Sequence, residues 1–158
     1  HEAMAGTIAA IDYIQMLSCQ IAPTGLTYRQ NLVAAMNAIQ LYERKLCEVL
    51  IPGLLRIPDL SFYGIRELER FTWRTPTVGI RLAGCTPREI AQSLFEHGIS
   101  TWDGNHYAIN LTERLGIESR GGILRIGLVH YNTAEEIEFL LEQLHKISRP
   151  SFSLSMAL

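Results

Sequence analysis

The amino-acid sequence predicts an α+β fold in which helices pack on a small mixed or antiparallel sheet. Two long helical patterns open the chain, and short strand-like segments then alternate with further helical patterns. The chain has 158 residues, 47% of them hydrophobic, which is enough for one substantial core. We therefore expect a helical segment over residues 1–55, a small α+β domain over residues 56–150 and a flexible tail over residues 151–158.

The helical segment is predicted from the spacing of its apolar residues. One apolar stripe predicts a helix over about residues 3–17, and a second predicts a helix over about residues 27–50 that Pro52-Gly53 stops. The second helix would be about 35 Å long, so we expect it to pack on something beyond these residues. The stripes consist of Ile8, Ile11, Ile14 and Leu17 in the first helix, and of Leu32, Met36, Ile39, Leu46 and Leu50 in the second.

Two strands and a capped helix follow in the chain. Residues 60–64 predict a short strand, and residues 77–82 alternate between apolar and other side chains, as a half-buried strand does. Thr86-Pro87-Arg88-Glu89 predicts a helix start, because Thr and Glu form a capping box around a proline at the first helical position. Ile90, Leu94 and Phe95 are expected to face the core, and Gly98 to end the helix in a left-handed conformation.

The last part of the chain predicts two more strands and two more helices. Residues 99–102 predict a strand that leads into a polar loop, and residues 111–115 a short helix. Gly121-Gly122 predicts a turn into a strand over residues 123–129. A second capping box, from Thr133 to Glu136, predicts the final helix. Its inward face is expected to consist of Ile137, Leu140, Leu141, Leu144 and Ile147.

Composition excludes several classes of protein. The net charge of −2 and the pI of about 6.2 give no electrostatic basis for binding nucleic acid. We also expect no membrane span and no targeting signal, because no apolar run reaches about eighteen residues. The three cysteines lack CxxC spacing, which argues against a disulfide framework or a zinc site. Free cysteines fit a reducing compartment, so we expect a cytoplasmic protein.

The chemistry-bearing residues concentrate in one loop and one strand. The loop is Trp102-Asp103-Gly104-Asn105-His106-Tyr107, and Arg125 lies in the later strand with Leu124 and Ile126 on its opposite face. An arginine among small and apolar neighbours is suited to bind a carboxylate through two hydrogen bonds. Two alternatives stay open from the pattern alone: Arg125 pairs with a local acid such as Glu118, and the loop is an ordinary turn.

No catalytic or metal site is recognisable from spacing. His97 and His106 with Asp103 have no i, i+4 pairing, and no nucleophile has an adjacent base. We therefore predict no catalytic residue and no metal ligand within this chain.

Four segments together resemble a known family. They are similar to the C-terminal part of class V aminotransferase-like enzymes, and more narrowly to the cysteine desulfurase-like branch of pyridoxal-phosphate (PLP) enzymes. The resemblance covers the chain to about Ile147. The segments are His1-Glu2-Ala3-Met4-Ala5-Gly6-Thr7, Arg74-Thr75-Pro76-Thr77-Val78, the loop from Trp102 to Tyr107, and Leu124-Arg125-Ile126-Gly127-Leu128-Val129-His130-Tyr131-Asn132-Thr133.

The resemblance implies the small C-terminal domain of a homodimeric enzyme of PLP fold type I, in which residues 1–55 link to a large cofactor domain. It implies that Arg125 holds the substrate α-carboxylate, with Trp102, Asp103, Asn105 and His106 as further substrate-binding residues. The family's Schiff-base lysine lies upstream of the matching region, and neither Lys45 nor Lys146 corresponds to it. We therefore expect the chain to be inactive alone.

Tyr107 departs from the family pattern. It stands where cysteine desulfurases carry the cysteine that accepts sulfur, and a phenol cannot form a persulfide. Desulfuration, transamination, elimination and epimerisation all stay open for the parent enzyme. Two other interpretations also stay open: a non-catalytic module that binds an amino acid or another carboxylate, and a dimerisation domain.

Overall fold

A computed structural model of the chain describes residues 1–21 and 23–148. The flexible tail expected over residues 151–158 lies outside the described residues. The chain divides into two compact units, of which the first is His1–Lys45 and the second begins at Leu46. Within the described residues, no helix is both long and apolar enough to cross a membrane.

The first unit is helical. It contains α1 (Glu2–Ile21) and the N-terminal part of α2 (Tyr28–Leu54). Thr27 and Gln30 form a capping box at the start of α2: both the backbone N and Oγ1 of Thr27 donate to Gln30 Oε1, at 2.9 Å. Within this unit Ser18 and Ala35 are fully buried, whereas most of the large apolar side chains are exposed.

The predicted stop of α2 at Pro52-Gly53 is wrong, because the helix continues through Pro52 to Leu54. Proline removes one backbone donor and normally breaks a helix. Here the residues on either side of it, Ile51 and Leu54, are buried in the core of the second unit. Gly53 lies so close to the last helix of the chain that a Cβ atom there would be 2.3 Å from Leu141 Cδ1. Tertiary packing therefore outweighs the local preference of proline.

The second unit contains a four-stranded sheet in the order β1-β2-β4-β3, in which neighbouring strands are antiparallel. The sheet is therefore antiparallel rather than mixed. The strands are β1 (Leu60–Tyr63), β2 (Thr77–Leu82), β3 (Trp102–Gly104) and β4 (Ile123–Gly127). The bounds of β2 agree with the sequence prediction.

The strand predicted over residues 99–102 is wrong in its placement, since β3 begins at Trp102. The preceding helix explains the shift. Gly98 adopts φ +76°, and the backbone N–H of Ile99 donates to Leu94 O at 3.0 Å, so that Ile99 completes a Schellman motif. The donor of Ile99 is therefore used to end the helix.

Three helices complete the second unit: α3 (Pro87–Phe95), α4 (Ile109–Arg114) and α5 (Ala134–Ser148). Both predicted capping boxes are present, one joining Thr86 to Glu89 and the other joining Thr133 to Glu136. Short 3₁₀ segments at Leu68–Trp73 and Glu118–Arg120 have no counterpart in the sequence prediction.

The core of the second unit lies on one face of the sheet, against the end of α2, α3 and α5. Burial alternates along β4, where Leu124 and Ile126 are buried and Arg125 is exposed. The face of the sheet opposite the core therefore remains available for polar side chains.

The prediction that Phe95 faces the core is wrong: its side chain is 70% exposed, while Ile90 and Leu94 are fully buried.

Candidate functional site

Arg125 lies at the centre of the exposed face of the sheet. The strand register places Gly79 of β2 opposite it on one side and Trp102 of β3 on the other. Directly opposite residues in an antiparallel pair project from the same face. Because Gly79 has no side chain, the side chain of Ile123 occupies the space over it on the β2 side. A Cβ atom at position 79 would lie 2.7 Å from Ile123 Cδ1.

The guanidinium of Arg125 makes no hydrogen bond or ion pair with any residue that the structure describes. The alternative that it pairs with Glu118 is therefore wrong. The Glu118 carboxylate accepts hydrogen bonds from Asn105 Nδ2, at 3.0 Å, and from Thr112 Oγ1. Arg125 keeps its donors in the planar arrangement that suits a carboxylate.

The loop that precedes α4 has an unusual backbone. His106 and Tyr107 adopt φ values of +51° and +62°, which lie in the left-handed region. This conformation costs about 1 kcal/mol or more for each residue that has a side chain. Asn105 holds this turn on both sides: its Oδ1 accepts from Tyr107 N at 3.1 Å, and its backbone O accepts from Ala108 N at 2.8 Å. The conformation leaves the Tyr107 side chain fully exposed.

Glu118 fixes the loop through Asn105. Its two carboxylate oxygens accept from Thr112, on α4, and from Asn105, in the loop, so one side chain connects both. These hydrogen bonds, first from Thr112 and then from Asn105, hold the pKa of Glu118 below its ordinary value. We call Asn105, Thr112 and Glu118 the loop clamp.

The site residues predicted from the sequence line one cleft of about 330 Å³, together with Gly104. They are Trp102, Asp103, Asn105, His106, Tyr107 and Arg125. A second cleft of about 220 Å³ adjoins it, shares Asn105, His106 and Arg125, and is otherwise lined mainly by apolar side chains such as Leu111, Leu115 and Ile123. The structure therefore brings all the predicted site residues together.

His106 carries an unsatisfied polar atom at this site. Its Nε2 is buried and has no hydrogen-bond partner among the described residues. A buried polar atom without a partner is unfavourable by about 1–3 kcal/mol, and such atoms are uncommon outside functional sites. The position of His106 in both clefts, beside Arg125, makes a bound polar group the natural partner for Nε2.

Sequence reasoning did not assign a role to three residues of this site. Gly79 makes room for the side chain of Ile123 beside Arg125, and Glu118 and Thr112 position the loop. The pairing of Gly79 with Arg125 across two strands, and the contact between Thr112 and Glu118 around a turn, can be recognised only in the three-dimensional structure. The one available signal was the glycine within an otherwise regular strand, which is typical of a close approach by another group.

The chain has two lysines whose amines could in principle hold an aldehyde cofactor. Lys45 is exposed on α2, and Lys146 forms an ion pair with Glu142, with 2.7 Å between Nζ and Oε1. Neither residue lines the clefts around Arg125. The described residues therefore do not fit covalent binding of PLP.

Comparisons with known proteins point to one group of relatives. The chain is 28% identical over 142 residues to the aminotransferase-like protein FGM3 of Gibberella zeae, and covers 34% of its length. It is 32% identical over 127 residues to the cysteine desulfurase of Pectobacterium atrosepticum, and covers 29% of its length. These matches cover 89% and 79% of the chain. The chain thus spans about a third of these relatives.

Solved structures agree with the sequence relatives. The apo cysteine desulfurase from Thermococcus onnurineus NA1 matches 77% of the chain with a TM-score of 0.65 and 26% identity, over 28% of its own length. The cysteine desulfurase CsdA from Escherichia coli matches 80% of the chain, over 32% of its own length, with a TM-score of 0.58. At 19% identity, the second match shows the fold alone.

The small antiparallel sheet with its helices is therefore an α+β structure of the kind found in enzymes of PLP fold type I. The model of the aminotransferase class-V family matches residues 22–140. The chain belongs to this family, whose members are PLP enzymes that act on amino-acid substrates.

Proposed function

We propose that this chain is the C-terminal part of a PLP-dependent, cysteine desulfurase-like enzyme, in which it binds the substrate carboxylate and provides a loop at the active site. The observation that carries the proposal is the guanidinium of Arg125, which has no hydrogen-bond or ion-pair partner among the described residues and lies in one cleft with the whole loop from Trp102 to Tyr107. An arginine with its donors available in this way is ready to bind a planar anion.

Each residue of the cleft has a distinct role in this proposal. Arg125 donates two parallel hydrogen bonds to the carboxylate and so fixes its orientation. His106 Nε2, which is buried without a partner, meets a further polar atom of the substrate. Trp102 borders Arg125 and shields the ion pair from water, which strengthens the electrostatic attraction. The loop clamp keeps these groups in place before the substrate arrives.

PLP supplies the electron sink of the family's chemistry, but the residues of this chain do not fit its covalent attachment. The amine that binds it would therefore come from a part of the protein outside these 158 residues. We propose accordingly that the chain is inactive alone, and that residues 1–55 connect it to a cofactor domain. Homodimerisation and a cytoplasmic location belong to the same proposal.

The reaction class follows from Tyr107. The residue is fully exposed at the position where the desulfurase branch carries its sulfur-accepting cysteine. A phenol cannot take up sulfur as a persulfide, and the three cysteines, Cys19, Cys47 and Cys85, do not line the cleft. We therefore propose transamination, elimination or epimerisation of an amino-acid-like substrate in preference to desulfuration.

Replacing Arg125 tests the carboxylate site. Arg125→Ala in the full-length enzyme removes a charge-assisted bidentate contact of about 1.5–3 kcal/mol. We expect kcat/KM for amino-acid substrates to fall by roughly ten- to a hundredfold, mainly through KM. Steady-state kinetics measure the effect.

Arg88→Ala is the matched control, because Arg88 is exposed on α3 and lies outside the cleft. It is expected to leave the kinetics unchanged. Unchanged kinetics in Arg125→Ala would contradict the assignment. An equal loss in both variants would indicate a general effect of arginine removal instead.

A non-catalytic carboxylate-binding module is the second candidate, because the cleft is assembled within the second unit alone. Calorimetric titration of the chain with amino acids distinguishes the two candidates. Saturable binding with a dissociation constant in the micromolar range favours the module. Weak binding, in the millimolar range or above, favours part of an active site.

A further inference from the structure

A third cleft, which is polar, lies beside β1 and the end of β2, and Arg125 is not among the residues that line it. It has a volume of about 440 Å³ and is bordered by β1, the end of β2, the start of α3 and the segment before β4. Its polar side chains are Ser61, Tyr63, Arg81, Cys85, Thr86 and Arg120. None of the residues that line it is acidic.

Backbone carbonyl groups fix the two arginines at this cleft. Arg81 Nη1 donates to Arg120 O, at 3.1 Å, and to Gly122 O. Arg120 Nη2 donates to Gly116 O at 3.2 Å. Arg81 thus keeps Nε and Nη2 as donors, and Arg120 keeps Nε and Nη1, without a partner among the described residues. The fixed carbonyl contacts reduce the conformational entropy that either side chain would lose on binding a ligand.

The positive charge of this pair has no neighbouring acid to balance it. Burial and the adjacent charge of Arg120 lower the pKa of Arg81. Two acids that are close in sequence to the lining residues Thr86 and Arg120 are already engaged: Glu118 belongs to the loop clamp, and Glu89 caps α3 through Thr86. Neither Arg81 nor Arg120 forms an ion pair within residues 1–21 and 23–148. The cleft is therefore electropositive.

We propose that this cleft binds a phosphate group through Arg81 and Arg120, with the hydroxyl groups of Ser61 and Tyr63 as further partners. Two guanidinium groups and two hydroxyl groups offer donors from several directions, which suits a tetrahedral oxyanion better than a planar carboxylate. Ser61 lies directly opposite Arg81 in the register of β1 and β2, so both side chains project from the same face of the sheet. Arg125 does not line this cleft, although Tyr63 borders both it and the cleft of about 220 Å³ beside Arg125, and the inference does not depend on the proposed function.

Titration of the ¹⁵N-labelled chain with inorganic phosphate, followed by NMR, tests the proposal. Saturable shifts are expected at the amides of Gly84, Cys85 and Thr86, next to the two arginines. Sodium chloride at matched ionic strength controls for screening. Arg120→Gln removes one charge at an exposed position, so the fold should persist, and we expect the dissociation constant for phosphate to rise about tenfold. Arg114→Gln removes the same charge on α4, outside the cleft, and should change it less than twofold.

Two further arms make the result decisive. Phenyl phosphate in place of inorganic phosphate distinguishes a phosphorylated small molecule from free phosphate: at least tenfold tighter binding of the ester identifies the former, and equal or weaker binding the latter. The proposal is overturned if chloride produces the same shifts as phosphate. It is equally overturned if Arg120→Gln and Arg114→Gln weaken phosphate binding to the same extent.

Discussion

Glu118 makes the loop beside Arg125 sensitive to pH. Because its hydrogen bonds to Thr112 and Asn105 lower its pKa in the folded chain, the carboxylate stabilises the loop above its ordinary pKa of 4.5. That stabilisation is lost as the pH falls through the lowered value. We therefore expect the loop to loosen as the pH falls below about 4.5. The rest of the second unit should stay folded.

Trp102 reports on this transition, because it lies in β3 and borders the loop. The Trp73→Phe chain has Trp102 as its single tryptophan. The intensity of its emission, rather than the wavelength, is expected to shift as the pH is lowered, because the indole is already 68% exposed and only its contacts with the loop change. The Glu118→Gln variant should show part of this shift already at pH 7. Identical pH profiles of the two chains would contradict the role of Glu118.

Part of this site could be predicted from the sequence, and its individual residues explain why. The loop and Arg125 carry unusual side chains in a local pattern, and the structure brings them into one cleft. The alternative that stayed open, a pair between Arg125 and Glu118, is wrong, although attraction between opposite charges favours it. The structure instead places Glu118 beside Asn105 and Thr112, because the path of the turn brings these residues together.

At the scale of elements, local signals predicted those parts of the fold whose start or face is encoded within a few residues. The strand over residues 77–82 and the capped starts of α3 and α5 belong to this group. Errors occurred where long-range packing or a helix end decided the outcome. Pro52 stays inside α2 because core contacts surround it, and Ile99 completes a helix cap in place of a strand bond.

Gly122 provides a test at the same scale, because it joins the turn before β4 to β3. A Cβ atom there would lie 2.2 Å from Gly104 O, a backbone atom, and the residue has φ +70°. Gly122→Ala therefore combines a left-handed alanine with a clash that only the backbone of β3 can relieve. We expect it to lower the free energy of unfolding by about 2–4 kcal/mol, as measured by urea denaturation.

Gly116→Ala is the control for Gly122→Ala. It has a similar φ of +67°, but a Cβ atom there would meet nothing within 4 Å. It should lower the free energy of unfolding by about 1 kcal/mol, the backbone cost alone. If the two variants lost the same stability, the close approach of Gly122 to β3 would have no energetic importance.

At the scale of the whole molecule, the apolar surface of the first unit argues for association with another protein surface. Met4, Ile8 and Ile11 are spaced four and three apart on α1, so they lie on one side of the helix, and they are 61%, 60% and 38% exposed. Exposed apolar patches of this kind mark interaction sites or aggregation-prone surfaces. Ile8 and Ile11 belong to the apolar stripe from which the sequence predicted this helix, whereas Met4 was not part of that stripe.

Self-association of the chain is the expected consequence of this stripe. Sedimentation velocity should show a concentration-dependent dimer at tens of micromolar. Burying one isoleucine contributes about 1.5–3 kcal/mol, so Ile8→Glu should raise the dimer dissociation constant at least about tenfold. Gln20→Glu adds the same charge to α1 at an exposed polar position, and should leave the constant within about twofold. A chain that stays monomeric at these concentrations, or an equal effect of both variants, would show that this face of α1 is not a self-association surface.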